Sequence, residues 1–192
     1  MRQHLQRSDP TAFPWGRYTR IQYILDYLLG MSHSVTLLSV SCPNDHPLNR
    51  ADLASSSQIT ILCQCRNIQA FVDDQSIECV SHCHVCQSQV IWQHTFEDTP
   101  AIIAFDLSQI SLLESIVIST TVNGHHMTYK LRGMMYHLDD HFTLRFILET
   151  GCVWYHDGIS TGRQMVHEGS LGNTELGMCQ SGMATCAIYV IL

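Results

Sequence analysis

The chain has 192 residues, of which 45% are hydrophobic and 14% are charged. The length fits one domain or a small two-lobed one, and the composition excludes a disordered, solvated chain. The net charge of -7 and the single lysine, Lys130, exclude the basic surface that nucleic-acid-binding proteins carry.

Targeting and membrane signals are absent from the sequence pattern. Residues 1–10 are polar and contain two arginines, so they lack the apolar core of a signal peptide. No apolar run reaches the roughly 18 residues that a membrane-spanning helix needs. The nine cysteines are an odd number, and without a signal peptide they favour reduced thiols and a metal site over disulfides. We therefore expect an intracellular protein, in the cytoplasm or the nucleus, that contacts neither membrane nor nucleic acid.

The N-terminal part of the chain predicts one longer helix and then short mixed elements. Residues 18–29 place apolar side chains three or four positions apart, which is helical spacing, and Gly30 is a suitable stop. The apolar residues of this helix are Ile21, Ile24, Leu25, Leu28 and Leu29. Residues 35–40 and 59–63 predict two strands, and residues 67–73 predict a short helix.

After a Cys/His-dense segment at residues 79–86, the pattern becomes that of strands. Apolar alternation and β-branched residues predict strands at 90–96, 101–107, 115–122, 126–136, 142–149, 152–155 and 184–192. Asn123-Gly124 predicts a two-residue hairpin turn, and residues 149–151 predict the next turn. Residues 158–182 are rich in glycine and lack periodicity, so they predict a loop. We therefore expect an α+β domain: an antiparallel β meander with a zinc-knuckle segment and a short N-terminal helical part.

Two short motifs predict a zinc site. Cys83 and Cys86 form a C-x2-C pair, which can place thiolates at two corners of a tetrahedral zinc. Cys42 and His46 form a C-x3-H pair in a turn-like stretch, and the two pairs together make a Cys3His set. Other residues compete for the same role: Cys63, Cys65, Cys79, His82 and His84. We rank the C-x-C pair, Cys63 and Cys65, lower than the C-x3-H pair. Buried cysteines without a metal are the alternative.

The most informative stretch runs from residue 129 to residue 158 and predicts strand, tight loop, strand, turn and strand. His141 begins the second of these strands, and Asp157 ends the third, 16 residues later. In an antiparallel hairpin those two positions meet at the same end. A histidine oriented by a carboxylate is the base half of a nucleophilic triad. A surface histidine beside a turn aspartate is the alternative.

This stretch resembles the C-terminal histidine box of the ubiquitin-specific proteases. In that family a Tyr-x-Leu-x-Gly/Ala-Val-x-x-His segment precedes a Gly-rich turn, a Gly-His-Tyr-x-Ala segment and a Trp-x-x-Phe-Asp/Asn-Asp segment. The matching positions here are Tyr129, Leu131, Gly133, His137, His141, Phe142, Trp154 and Asp157. The predicted strands at 100–107 and 184–190 and the two metal motifs also follow the family's order. The resemblance covers roughly residues 40–192.

The resemblance implies a fold, an activity and a partner. Residues 1–40 are then a leader and helical part, and residues 41–192 are the fingers and palm of a protease-like domain. His141 takes the position of the catalytic base and Asp157 that of the orienting residue, while the zinc set Cys42, His46, Cys83 and Cys86 belongs to the fingers. The implied partner is ubiquitin or a ubiquitinated protein, and the implied reaction is thiol hydrolysis of isopeptide bonds at the ubiquitin C-terminus.

The sequence departs from the family at the nucleophile. The family's cysteine lies in a Gly-x-x-Asn-x-Gly-Asn-Thr-Cys motif that precedes all the features above, but this chain has no cysteine before Cys42. Residues 170–175 copy the Gly-Asn-Thr core with Glu175 in the cysteine position, which we interpret as coincidence because a carboxylate cannot replace a thiol. Asp139 and Asp140 replace glycines that let the loop approach the substrate tail, so we expect a narrower channel.

We therefore predict a deubiquitinase-like domain without its cysteine box, and we expect the isolated chain to be inactive. A catalytically inactive ubiquitin-binding module is one alternative, and a zinc-stabilised β domain with another interaction role is a second. A thiol hydrolase that uses Cys152, Cys179 or Cys186 is the least favoured, because Cys152 lies on a predicted strand and neither other cysteine precedes a convincing helix.

Overall fold

The computed structural model describes residues 36–48, 58–60, 66–74, 76–96, 99–107, 115–138 and 141–192. The helix expected at residues 18–29 lies outside these ranges. So do four of the residues discussed above: Cys63, Cys65, Asp139 and Asp140. Within the described ranges, no helix has the length and hydrophobicity that a membrane span requires.

The described elements are mostly strands. In chain order they are β1 (Thr36–Ser41), β2 (Gln58–Thr60), α1 (Ile68–Asp74), β3 (Ser76–His82), β4 (Gln89–Phe96), β5 (Ile102–Asp106), β6 (Val117–Val122), β7 (His125–Leu138), β8 (His141–Ile147), β9 (Cys152–His156), β10 (Val166–Ser170), a 3-10 turn (Leu171–Asn173), β11 (Met178–Cys179) and β12 (Gly182–Ile191). β1 runs across the expected boundary between residues 40 and 41, and the division into two parts stays a prediction.

These strands form two sheets. β1, β4 and β3 make a three-stranded antiparallel sheet in that order. The second sheet has nine strands with the order β10-β9-β8-β7-β12-β5-β2, to which β6 adds on β7 and β11 on β12. β6 to β9 form the expected antiparallel meander and β10 extends it, whereas β12 inserts between β7 and β5. The short β2 pairs with β5 in parallel, which the meander prediction did not include.

Two stretches differ from the sequence prediction. The loop predicted at 158–182 was wrong in part, because it contains β10, the 3-10 turn and β11. β10 lies at the edge of the sheet with four of its five residues exposed, so its sequence lacks the apolar alternation of a half-buried strand. β3 overlaps the Cys/His-dense segment at residues 79–86. The cysteines and histidines there predict a metal motif and no strand, so β3 is missing from the sequence prediction.

The predicted turns are confirmed by backbone geometry. Asn123 and Gly124 both have positive φ, at 51° and 79°, which is the requirement of the hairpin turn between β6 and β7. Gly151, at φ 83°, closes the turn between β8 and β9, where the amide of Leu148 donates to the carbonyl of Cys152 at 3.0 Å. These two turns set the register of the strands that carry the histidine box.

The main core lies on one face of the larger sheet, and α1 covers part of it. Phe71 of α1 packs edge-on against Phe105 of β5, with ring centroids 6.3 Å apart, and Phe105 packs in the same way against Tyr189 of β12 at 5.7 Å. Burying side chains of this size contributes about 2–3 kcal/mol each. The side-chain amide of Gln69 also links α1 to β6. Its Oε1 accepts from the backbone N–H of Ser119 at 2.8 Å, and its Nε2 donates to the Ser119 carbonyl at 3.0 Å.

Candidate functional site

The hairpin of β8 and β9 positions His141 and Asp157 at one end of the larger sheet. Leu144 pairs with His156, so one step further Asp157 lies opposite Thr143. His141 lies two residues before Thr143, and side chains two apart on a strand share a face. His141 and Asp157 are therefore diagonal neighbours on the same face. Their side chains meet, with His141 Nε2 2.7 Å from Asp157 Oδ1.

The two side chains differ in exposure. The Asp157 side chain is 9% exposed and the His141 side chain is 35% exposed. A buried carboxylate that orients a partly open imidazole is the arrangement that general-base catalysis requires. The structure thus brings the two predicted residues together, and their chemical roles are taken up below as a proposal.

The carboxylate of Asp157 has a full set of donors. Oδ1 accepts from His141 and from the amide of Ile159 at 2.8 Å, and Oδ2 accepts from the hydroxyl of Ser160 at 2.5 Å and that of Tyr155 at 3.4 Å. The Ser160 hydroxyl and the Ile159 amide are the main reasons that the pKa of Asp157 lies well below its usual range. Asp157 is therefore ionised at neutral pH.

Other positions of the histidine box also contact one another. The ring of Phe142 stacks on that of His137, with centroids 4.6 Å apart and an interplanar angle of 27°. His137 and Phe142 are directly opposite in the pairing of β7 with β8. Gly133 lies opposite Ile188 of β12, and a methyl group added to it would touch the Ile188 side chain at 3.4 Å. These described positions of the box therefore lie on packed strands.

Arg145 is a residue of this region that the sequence prediction missed. It lies four positions after His141 on β8, on the same face, and is 8% exposed. Its guanidinium donates to Glu168 of β10 at 2.6 Å, to the carbonyl of Glu175 at 2.6 Å and to that of Met178 at 2.8 Å. Burial opposes its charge, but the hydrogen bonds to Glu168 and Tyr136 outweigh this effect and raise the pKa of Arg145. Arg145 thereby ties β10 and the segment before β11 to β8.

Three of the cysteines whose side chains the structure describes lie outside the metal motifs, and two of these three are closed to solvent. Cys179 is 2% exposed and Cys186 is fully buried. Burial raises the pKa of the Cys179 thiol, although nearby Arg145 opposes the effect. Cys152 is partly exposed on β9. A nucleophilic cysteine needs an accessible thiol with a lowered pKa, so neither Cys179 nor Cys186 fits that role.

The second candidate site is formed by the two predicted metal motifs. Cys42, His46, Cys83 and Cys86 offer four ligand atoms that all lie within 4.8 Å of one another. The segment after β1 contributes the first pair, and the turn between β3 and β4 contributes the second. Since β1 and β3 both flank β4, the three-stranded sheet brings the two motifs to the same end.

The distances in this cluster fit a tetrahedral metal. With metal–sulfur bonds of about 2.3 Å and a metal–nitrogen bond of about 2.0 Å, a tetrahedron has edges of roughly 3.8 Å between sulfurs and roughly 3.5 Å between sulfur and nitrogen. Cys42 Sγ lies 3.5 Å from Cys86 Sγ and 3.6 Å from His46 Nδ1, and Cys83 Sγ lies 3.8 Å from the same nitrogen. The four residues therefore form a possible metal-binding site.

The backbone around the cluster has the tight turns of metal knuckles. Asp45 has φ 55° and Gln87 has φ 59°, so each ligand pair is accompanied by a left-handed residue. Burial raises the pKa of the Cys42 thiol, and the amide of Asn44, which donates to Cys42 Sγ at 3.4 Å, opposes this effect in part. Hydrogen bonds from the side chains of Ser88 and Asn44 lower the pKa of Cys86 to about 5. The competing residues His82 and His84 are exposed and belong to no described cluster.

Comparisons with known proteins relate this geometry to one kind of fold. No protein-family model matches the sequence. No curated protein matches it either. The fold is similar to that of the SAGA DUB module Ubp8/Sgf11/Sus1/Sgf73 bound to monoubiquitin, with a TM-score of 0.52 and 12% identity over 84% of this chain and 42% of that chain.

A second solved structure has the same kind of fold. The Saccharomyces cerevisiae PAN2 pseudoubiquitin-hydrolase matches with a TM-score of 0.51 and 12% identity over 96% of this chain and 69% of that chain. The chain spans less than half the length of the first of these two structures. The chain therefore shares its fold with a chain of a deubiquitinase module and with a pseudoubiquitin-hydrolase, and the likeness is one of fold alone.

Proposed function

We propose that this chain is the palm and fingers of a ubiquitin-specific-protease-type deubiquitinase domain, with His141 as its catalytic base and Asp157 as the residue that orients the base. The observation that carries the proposal is the 2.7 Å contact between His141 Nε2 and Asp157 Oδ1 at the end of the sheet. The fold likeness supports it, since a histidine–carboxylate pair alone occurs in many proteins.

The chemistry of this pair is that of proton transfer to and from a thiol. The Asp157 carboxylate accepts the N–H of one ring nitrogen, so the other ring nitrogen of His141 is left with its lone pair. That nitrogen takes the proton of a cysteine thiol, and the thiolate attacks the carbonyl carbon of the isopeptide bond. The imidazolium then returns the proton to the departing amine, which leaves an acyl-enzyme for water to hydrolyse.

Among the cysteines whose side chains the structure describes, none offers a thiol for this step. Cys42, Cys83 and Cys86 form the metal cluster, and Cys179 and Cys186 are buried. Cys152 lies on β9, where successive side chains alternate between the two faces of the sheet. Cys152 shares its face with Trp154, so it points away from the face that carries Tyr155 and Asp157. We therefore propose that the nucleophile comes from a polypeptide segment other than the described one, and we expect the isolated chain to have no hydrolase activity.

The cluster of Cys42, His46, Cys83 and Cys86 is proposed to hold a structural zinc ion. Its Cys3His donor set is complete, which leaves no open position for a reacting water. It lies at the end of the three-stranded sheet, which we propose to be the fingers. The zinc would fix that end of the sheet, where the described side chains supply only a small apolar cluster around Val90.

The proposed ligand is ubiquitin, whose C-terminal tail would lie beside His141. The first comparison structure is bound to monoubiquitin, which supports this choice of partner. A fluorogenic substrate attached to the ubiquitin C-terminus tests the activity. The isolated chain is expected to show no turnover, and turnover that disappears on His141→Ala would show that a cysteine of this chain is the nucleophile.

A catalytically inactive ubiquitin-binding module is the second candidate function. One observation favours it: no cysteine whose side chain the structure describes is placed to react beside His141. Supplying the missing cysteine segment separates the two candidates. Restored turnover in such a complex supports the deubiquitinase, and ubiquitin binding without turnover supports the inactive module. Absence of ubiquitin binding would favour a zinc-stabilised domain with another interaction role.

A further inference from the structure

Hydrogen bonds in the turn after β9 hold the backbone of Asp157 in place. The Asp157 amide donates to the hydroxyl of Thr161 at 3.0 Å, and the Asp157 carbonyl accepts from the Thr161 amide at 2.9 Å and from its hydroxyl at 2.7 Å. Both backbone groups of Asp157 are therefore satisfied within five residues. What remains to be set is the rotation of the carboxylate.

Hydrogen bonds to both carboxylate oxygens limit that rotation. Oδ1 is shared by His141 and the Ile159 amide, while Oδ2 receives the Ser160 hydroxyl at 2.5 Å. The Tyr155 hydroxyl also reaches Oδ2, but at 3.4 Å its hydrogen bond is long. Ser160 therefore makes the strongest contact that a side chain other than His141 makes with this carboxylate.

From this geometry we propose that Ser160 is a positioning residue: its hydroxyl holds Oδ2 of Asp157, and Oδ1 is thereby kept aimed at His141. The inference rests on the proposed function, because it assigns the role of a third residue in the same site. The described hydrogen bond of the Ser160 hydroxyl goes to Asp157 and not to the imidazole, so we infer that Ser160 acts through Asp157. Thr161, Ser160, Asp157 and His141 would then form one hydrogen-bonded network that positions the imidazole.

The location of Ser160 makes the inference testable. Ser160 is exposed, so removal of its hydroxyl leaves no cavity in the core. The backbone of the turn is held by Thr161 rather than by Ser160, so the turn itself is expected to persist. A change at Ser160 should therefore alter the Asp157–His141 contact more than the stability of the fold.

The experiment measures exchange with water of the His141 ring N–H that is bonded to Asp157, by NMR on the 15N-histidine-labelled chain at neutral pH. Ser160→Ala is expected to accelerate this exchange about tenfold, because a hydrogen bond to a charged carboxylate is lost. Ser160→Thr keeps the hydroxyl and is expected to retain the wild-type rate. Ser181→Ala, in the exposed turn between β11 and β12, is the matched control and is expected to change nothing.

A second variant covers the case in which Ser160→Ala does not fold. Ser160→Cys has nearly the same shape but a weak donor, so it is expected to accelerate exchange like the alanine variant. Wild-type exchange rates in folded Ser160→Ala or Ser160→Cys would overturn the proposal. Neither ubiquitin nor a thiol enters the measurement, so its outcome is independent of whether ubiquitin binds, and failure of one does not imply failure of the other.

Discussion

His141 Nε2 and Asp157 Oδ1 lie 2.7 Å apart although 16 residues separate the two in the chain. The β8–β9 hairpin accounts for this contact, because its turn at Gly151 folds the two strands back on each other. The carboxylate is nearly buried and has donors on both oxygens, whereas the imidazole is partly open. The contact is thus built into the fold of the hairpin.

The lowered pKa of Asp157 predicts an acid-sensitive contribution to stability. A carboxyl whose pKa is lower in the folded state stabilises the fold at every pH above its unfolded pKa, which is near 3.9. This contribution is lost as the pH falls from the unfolded pKa to the lower pKa of the folded state. Asp157→Asn should therefore lower the free energy of unfolding by an amount that is constant between about pH 7 and pH 5 and shrinks below about pH 4. Urea unfolding of both proteins across this range measures it. A difference that stays the same at pH 3 would contradict the assignment.

The ion pair of Arg145 and Glu168 predicts a larger stability effect than a surface pair. Glu168→Gln leaves the nearly buried guanidinium without its counter-charge, so we expect a loss of about 2 kcal/mol in the free energy of unfolding. Glu149→Gln is the matched control, because Glu149 is 90% exposed where it pairs with Arg132, and it should cost less than about 1 kcal/mol. Equal losses in the two variants, measured by urea unfolding, would show that Arg145 does not tie β10 to β8.

The metal cluster predicts a zinc content and a matched pair of cysteine variants. Purified protein should contain about one zinc per chain, and Cys83→Ser should release it and lower Tm by roughly 10 °C, since the cluster holds β1 and β3 together. Cys152→Ser, outside the cluster, should keep both metal and Tm. Less than about half a zinc per wild-type chain by elemental analysis would refute the site.

The burial of Cys179 and Cys186 predicts that their thiols react slowly with an alkylating reagent. Alkylation of the native protein with iodoacetamide at pH 7.5, mapped by mass spectrometry, should modify Cys152 well before Cys179 or Cys186, because both of these are buried and burial raises the pKa of Cys179. Unfolding in urea should remove the difference. Rapid labelling of Cys179 in the folded protein would reopen the possibility that it serves as the nucleophile.

The local patterns of the sequence were enough to predict which residues lie together at the two candidate sites. His141 and Asp157 meet because strand alternation and the turn at residues 149–151 already specify a hairpin. The spacing of Cys83 and Cys86 predicts a metal knuckle, and Cys42 and His46 supply an upstream pair with comparable spacing. Each of these predictions depends on residues that are close in sequence or joined by one turn.

The missed features depend on partners that are distant in sequence. Arg145 is a charged residue in an alternating strand and resembles an exposed position, but two of its acceptors are backbone carbonyls 30 and 33 residues downstream. Those carbonyls carry no side-chain signal, so no motif points to them. β10 was missed for a related reason: as an exposed edge strand it is specified by pairing with β9 rather than by its own hydrophobic pattern.

The measurement that tests the proposed function most directly is a titration of 15N-labelled ubiquitin with the zinc-loaded chain, followed by NMR up to about millimolar concentrations, where weak binding is still visible. Shifts that include the C-terminal tail of ubiquitin, and that lose their tail component on His141→Ala while Ser181→Ala leaves them intact, are the predicted result. A ubiquitin spectrum that does not change at that concentration would contradict the proposal and favour a zinc-stabilised β domain with a different partner.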